Sequence, residues 1–594
     1  MYCSNGAWMC AAGSGSISRR LCAAQVRFER IRRNIRRSLP ALVEDWHGAR
    51  YFSYGLVLLL LTSAIVAAYY INHPQPETGP DTPSYLTVTQ HILTNGNMVD
   101  ASRTPGYPLL IALIFLLFGQ GNLMAVSAAQ GVLFVFAALE IYIITCLVFR
   151  RSWIALIVGL AVGCNIYLLS FIKPILSEGI SLWVVTSLAL ATVLFIRFPQ
   201  ARFLWLVAAL TLLTFMTRSE WMFLPVLLFA YLLWIAARRG VFRHLLPHAL
   251  VAVLLLYGVL GLYIYENATV NHYPGVTEVQ RINLLGKVLQ YHMQDEAPPQ
   301  YASIARAADT YLEAGGLSPY AFAEQHPALG LSANHWALAG DYANAIVEQH
   351  PVEFLLKTIP VVFTSSDSYY PSSQINLQGP LALPLFGLQK LSAGAYYWYR
   401  FFPFLAFLWF GLLFWRRTAR SRAVEMMSAV ALLALYDLVI TSLGGYSSYA
   451  RFHIVFDPLM MVVVLGSALL AGALLLPVLL RKTQNIPVLA RLWPVIGWAL
   501  GGALVGGVVA SAAATVIRHG LAPLVHPATW TGLHLLFDHP LRTILVLGAS
   551  ILLCVLAWNA HRHAGSKTGK QMSDYHMEAG YAESGEMPES HLAG

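Results

Sequence analysis

Charge is what this sequence has least of. Only 11% of its 594 residues are Asp, Glu, Lys or Arg, against about 25% in an ordinary soluble domain. That excludes a water-soluble globular protein, and a hydrophobic share of 57% points to lipid. Cysteine is scarce too. Cys3, Cys10 and Cys22 lie in the N-terminal arm, and Cys146, Cys164 and Cys554 lie in apolar runs. With none in a long polar loop, there is neither a disulfide framework nor a zinc-ligand spacing. No internal repeat is recognisable. No cleavable signal is evident, because the first apolar run follows some fifty residues and reads as a retained span.

What is present is a series of apolar runs near the length that crosses a bilayer as a helix. A helix satisfies its own backbone hydrogen bonds in hydrocarbon. The expected spans are 51–72, 127–149, 153–171, 178–196, 203–217, 221–237, 247–265, 401–415, 424–444, 454–480, 493–516 and 543–560. The expected fold class is therefore all-α integral membrane, a bundle of about 12 transmembrane helices. With the N-terminus in the cytoplasm, about two thirds of the 38 Lys and Arg fall on the cytoplasmic side, although the opposite loops are longer. Both termini are thus expected in the cytoplasm. The net charge of +9 records topology, and no nucleic-acid partner is implied.

Five regions follow. Residues 1–50 form a cytoplasmic basic arm, in which 26–38 suits a basic amphipathic helix on an anionic leaflet. The first 18 residues look disordered, or could come from a misassigned start codon. Residues 51–265 form an N-terminal transmembrane core that includes a first exported loop, 73–126. Within that loop Leu109–Phe118 is too short to span, and is expected as an interfacial helix entered through Pro105-Gly106-Tyr107-Pro108. Residues 266–400 read as an exported helical cap, which its size and position suggest selects the acceptor. Residues 401–560 add C-terminal spans, and the polar tail 561–594 reads as disordered.

The loop 73–126 carries the most information. Pro80-Asp81-Thr82-Pro83-Ser84-Tyr85 is followed eighteen positions after its Tyr by Arg103-Thr104-Pro105-Gly106-Tyr107-Pro108. A connector needs neither a carboxylate nor a guanidinium beside stiffening prolines. On the expected topology further ionisable groups gather on the same side: Asp100, Lys173, Glu178, Arg218, Glu220, Arg451, His453 and Asp457. Charges near membrane depth are costly and tend to pair or face a cavity. A proton relay would spread them through the bilayer, so one-sided clustering favours an interfacial pocket.

Each residue also has a plainer role. Asp81 could cap a turn, Arg103 could anchor on a headgroup, and Arg451 could snorkel. Lys173 suits an interfacial anchor better than a ligand. Glu178 sits where a helix dipole favours an acid, and Arg218 with Glu220 could be a structural ion pair. His453 and Asp457 share a helix face, but two ligands do not make a metal site. Glu140 and Asp437 are expected to be satisfied by neighbouring helices, and the aromatics of 396–399 read as an interfacial belt.

The two loop motifs resemble the first exported loop of GT-C glycosyltransferases, the polyprenyl-phosphate-sugar-dependent enzymes allied to protein mannosyltransferases and the lipid A aminoarabinose transferase. So do Asn95-Gly96, Pro174-Ile175-Leu176-Ser177-Glu178, Arg218-Ser219-Glu220 with Pro225, and Tyr449-Ala450-Arg451-Phe452 with Pro458. The resemblance covers about 51–265 and 440–480. Two departures stand out: the loop acid is single rather than Asp-Glu, and Arg103-Thr104-Pro105 replaces a Lys-Pro-Pro. The resemblance implies an inverting transfer from a polyprenyl-phosphate sugar donor to a hydroxyl on a lipid, glycan or protein acceptor, at the periplasmic face of a bacterial inner membrane. It implies Asp81 as general base and Arg103, Arg451 and Lys173 on the donor phosphate. Tyr85, Tyr107, Glu178, Arg218 and Glu220 would bind substrate. No cofactor is certain, and a divalent metal is possible. The alternative reading is a transporter or flippase for a lipid-linked glycan, which would favour repeats, broken helices and mid-bilayer charges.

Overall fold

The structure, a computed structural model, describes residues 49–366, 381–415, 421–446 and 449–483. Among these every regular element is a helix. Six are long and apolar enough to cross a membrane: Arg50–Asn72, Leu123–Phe149, Glu178–Arg197, Ser219–Arg238, Phe242–Val270 and Arg422–Gly444. Two bent pairs raise the count to eight if each is one span. The chain is an all-α, multi-pass membrane protein.

Four of the other expected spans take different forms. The run 153–171 is broken into Ser152–Gly163 and Ile166–Ile172 at a bend of 50°, and 454–480 into Tyr449–Val455 and Asp457–Ala473 at 77°. The first break has a local cause: the Asn165 side chain accepts from the N–H groups of Tyr167 and Leu168, capping a new helix start. The expected spans at 203–217 and 401–415 are the shorter helices Ala201–Thr217 and Phe402–Phe414. Those expected at 493–516 and 543–560 lie outside the described residues, as do nearly all of the N-terminal arm and the whole of the tail.

Two short helices of the first loop build one wall of the site. Thr82–Asn95 starts with a proline in its first turn and stops at Gly96, whose φ of 74° is the left-handed conformation that closes a helix. Gly106–Phe118 follows Pro105 and has 13 residues, about 20 Å at 1.5 Å per residue, short of a bilayer. Its first glycine is obligatory in packing terms. A Cβ at Gly106 would stand 2.6 Å from the Met216 carbonyl oxygen. Tyr85, Tyr107, Ile111, Ile175 and Ile180 form a small core that fastens both helices to the bundle.

The main core runs through the bundle, with Phe134, Val185, Trp221 and Met427 fully enclosed. Leu116, Leu254, Phe404 and Phe407 are exposed, as expected where apolar side chains meet lipid. A second core, built on Ile282, Phe322, Tyr342 and Ile346, belongs to the helices between Val279 and Ser365. The helical character expected of 266–400 appears in helices such as Val279–Gln290 and Ala302–Glu313.

Candidate active site

Asp81 occupies the N-cap position of Thr82–Asn95 yet makes no side-chain cap bond. Its carboxylate is spent elsewhere. Oδ1 accepts from Arg103 Nη2 at 2.6 Å, and Oδ2 meets Arg451 Nη2 at 2.6 Å. Arg451 Nε also pairs with Glu178. Arg218 stands 3.6 Å from Glu178 and is bonded to Glu220 through Nε. Six charged groups from distant stretches thus form one chain of ion pairs, three acids against three arginines. All six line a cavity of about 1300 Å³.

The first loop is shaped to present Arg103. Asp100 Oδ1 accepts from the N–H groups of Ser102 and Arg103 at 2.8 and 2.9 Å, a local turn. Tyr263 donates to the Arg103 carbonyl at 3.2 Å. The guanidinium lies 4.7 Å from the Tyr85 ring centroid, and its Nε donates to Ser84 at 2.7 Å. Planar stacking and a fixed fork leave Arg103 little freedom. On the other side, Thr82 donates to the Ile175 carbonyl at 2.9 Å, bringing Ser177 and Glu178 beside Asp81.

Electrostatics favour a charged Asp81. Burial alone would raise its pKa, but the guanidinium charges of Arg451 and Arg103 together outweigh burial and hold it below the usual carboxylate value. Glu178 is almost wholly enclosed, and among the described residues its Oε2 has no hydrogen-bond partner. Both of its arginine partners, Arg451 and Arg218, meet Oε1.

Of the sequence-derived candidates, Asp81, Tyr85, Arg103, Glu178, Arg218, Glu220 and Arg451 line the cavity. Two do not. Lys173 is buried and donates to the Gln75 carbonyl at 2.6 Å and to Glu77 at 2.7 Å, tying down the strand of loop before Asp81. Tyr107 lies in the small core and donates to Gln130 at 2.6 Å. His453 bonds Asp457 at 2.7 Å in a buried pair. Tyr396 and Tyr399 are buried rather than interfacial, each donating to Asp457. Glu140 is satisfied by Thr186 and Ser187 at 2.7 Å each. Asp437, in contrast, is enclosed with neither oxygen bonded among the described residues, against the expectation that neighbouring helices satisfy it.

The sequence reading missed the cavity's other wall. Gln280, Arg281, Asn283, Tyr320 and Asn344 come from the unit with the second core, and Tyr273 from the loop just before it. Their spacing carries no motif, and only long-range folding brings them together. For a metal, Glu296, His350 and Glu353 place ligand atoms within 4.8 Å of one another, but none of the three lines the cavity.

Several solved structures resemble the chain. One is the oligosaccharyltransferase of Archaeoglobus fulgidus in the apo form, at 14% identity and a TM-score of 0.39 over 73% of this chain and 52% of that one. The same organism's AglB oligosaccharyltransferase, in complex with an inhibitory peptide and a dolichol-phosphate, gives 14% and 0.37 over 71% and 51%. ArnT from Cupriavidus metallidurans gives 16% and 0.30 over 72% and 80%. The chain spans about half the length of the two oligosaccharyltransferases. No family model and no curated protein matches it.

Proposed function

We propose that this protein is a GT-C-type glycosyltransferase that moves a sugar from a polyprenyl-phosphate donor to an acceptor hydroxyl, with inversion at the anomeric carbon. The observation that carries the reading is Asp81 held between Arg103 and Arg451 inside one cavity. A phosphodiester suits two converging guanidiniums, and a carboxylate between them lies within reach of the sugar it would carry. Met222, Phe223, Ile440 and Leu443 also line the cavity, and Phe223 is exposed. Such an apolar lip would accept the polyprenyl chain from the bilayer.

The geometry suggests how Asp81 is kept quiet until a donor binds. An ionised Asp81 bound by two arginines is a weak base. A donor phosphate competes for both guanidiniums, and as they turn to it, burial raises the proton affinity of Asp81. The acceptor hydroxyl then gives its proton to Asp81 while its oxygen bonds the anomeric carbon. The carbon–oxygen bond to phosphate breaks, and phosphate leaves with the electron pair, stabilised by Arg103 and Arg451. Glu178, through its contacts with Arg451 and Arg218, would fix the orientation of both. Lys173 would act on the donor side only indirectly, through the loop it ties down, and Tyr107 by supporting Tyr85 across their ring contact of 5.0 Å. The proposed setting is the inner membrane, with both termini in the cytoplasm, the site facing the periplasm, and residues 266–400 exported.

Asp81→Asn keeps shape and removes basicity. Purified variant protein should fold normally and lose transfer by about 100-fold or more, read by mass spectrometry of donor and product. Normal transfer would remove Asp81 from the mechanism. The flippase reading gains from the two bent helix pairs. It requires a lipid-linked sugar to cross reconstituted vesicles with no new glycoside formed, so the same mass spectra separate the two.

A further inference from the structure

Three acids and four arginines line the cavity. The central six pair with one another, so Arg281 is the surplus cation. Among the described residues its guanidinium meets no carboxylate. Nη1 donates to the His335 carbonyl at 3.0 Å, and the group lies 4.9 Å from the Tyr273 ring centroid. The nearby acid, Glu278, is engaged by His335 Nδ1 at 2.5 Å. Stacked and anchored on one nitrogen, Arg281 keeps donors available toward the cavity.

The surroundings are built at a cost in strain. Asn334, His335 and Trp336 have φ of 48°, 55° and 57°, and His272, just before Tyr273, has 56°. Asn and His enter the left-handed region more readily than most residues, but the bulky Trp336 does not, and three such residues in succession need a reason. Here the strained turn delivers the His335 carbonyl to Arg281. Gly340 supplies the room: a Cβ there would stand 2.7 Å from Arg281 Cγ. Tyr320 lines the same cavity and feels the charges of Asp81, Arg103 and Arg451 as well as Glu278. The two sites are therefore within electrostatic reach of each other across one phenol.

We infer that Arg281, stacked on Tyr273 and held by the His335 carbonyl, is a second oxoanion subsite that binds a phosphate or carboxylate group on the acceptor. The inference rests on reading the cavity as a transferase site, where Arg103 and Arg451 already serve the donor. An acceptor anchored by its anion at Arg281 would be aligned with a hydroxyl toward Asp81.

The test uses full-length protein in detergent, titrated calorimetrically with glucose 1-phosphate and with glucuronate, and separately with decaprenyl phosphate. The wild type should bind at least one soluble probe, and which one names the anion. Arg281→Gln should weaken that binding by about tenfold or more, the worth of a charge-assisted pair. Arg281→Lys, with charge but no fork, should fall between. Gly340→Ala, which keeps every charge and displaces the Arg281 stem, should also weaken it. Decaprenyl phosphate binding should hold within about twofold, as expected for a separate site. No probe binding by the wild type, or equal binding by Arg281→Gln and Gly340→Ala, overturns the inference. An equal loss of decaprenyl phosphate also overturns it, assigning Arg281 to the donor. If Asp81→Asn transfers normally while the probe titrations behave as expected, the transferase reading fails and the anion subsite stands.

Discussion

Replacing Arg451 by glutamine should be among the costliest single changes in the bundle, and the reason lies in Glu178. That carboxylate is enclosed, and its Oε2 already lacks a partner among the described residues. Arg451 Nε supplies the close contact to Oε1, with Arg218 at 3.6 Å. Removing one partner of a buried pair costs about 3–5 kcal/mol, because the remaining charge is stranded. Glu178→Gln is milder. Arg451 keeps Asp81 at 2.6 Å and Arg218 keeps Glu220, so roughly 1–2 kcal/mol is expected for the lost charged hydrogen bonds. In the double variant no carboxylate is stranded, and the two changes should fall short of additivity by about 2 kcal/mol or more. Reversible unfolding by SDS in mixed micelles, run on all four proteins, measures the coupling. Additivity to within about 0.5 kcal/mol would refute the argument that Arg451 is what makes burial of Glu178 tolerable.

Gly106→Ala should destabilise by about 2 kcal/mol or more, since its Cβ would meet backbone oxygen of Met216 rather than a side chain that can turn aside. The same unfolding assay reads it, and an unchanged midpoint would mean the two helices are not in such close approach. Lys287, enclosed and bonded to Tyr449 at 2.6 Å, is pushed down to about 7 by burial. An unfolded lysine titrates at about 10.4, so between these values the folded state holds fewer protons and stability rises with pH. Lys287→Met should abolish that rise, seen as melting temperatures of wild type and variant that converge or cross between pH 7 and 10, within the window set by about 7 and about 10.4. Parallel curves would show that Lys287 does not titrate there.

The loop acid and the three arginines stood out in the sequence because mere connection has no use for charges in those places. Asp81 and Arg103 stand beside prolines, and Arg218 and Arg451 at the ends of apolar runs. Helix existence followed from hydropathy in the same way. Bends did not, because the break before Ile166 depends on an Asn165 cap that hydropathy averages over. Lys173 looked like an anchor to lipid, whereas its partners are a carbonyl and an acid from 96 and more positions away. Tyr396 and Tyr399 had the composition of a membrane belt but turn inward to Asp457. Arg281 gave no signal at all. Its meaning comes from Tyr273, His335 and Gly340, and no local pattern connects those positions.

Arg451 lies 273 positions beyond its partner Glu178, so a ribosome finishes most of the protein before supplying it. Until then the growing chain holds Asp81, Glu178 and Glu220 against Arg103 and Arg218, one negative charge in excess beside lipid. Translation must bring in the last arginine before this corner can settle, and a chain cut short ahead of it would keep that charge unbalanced.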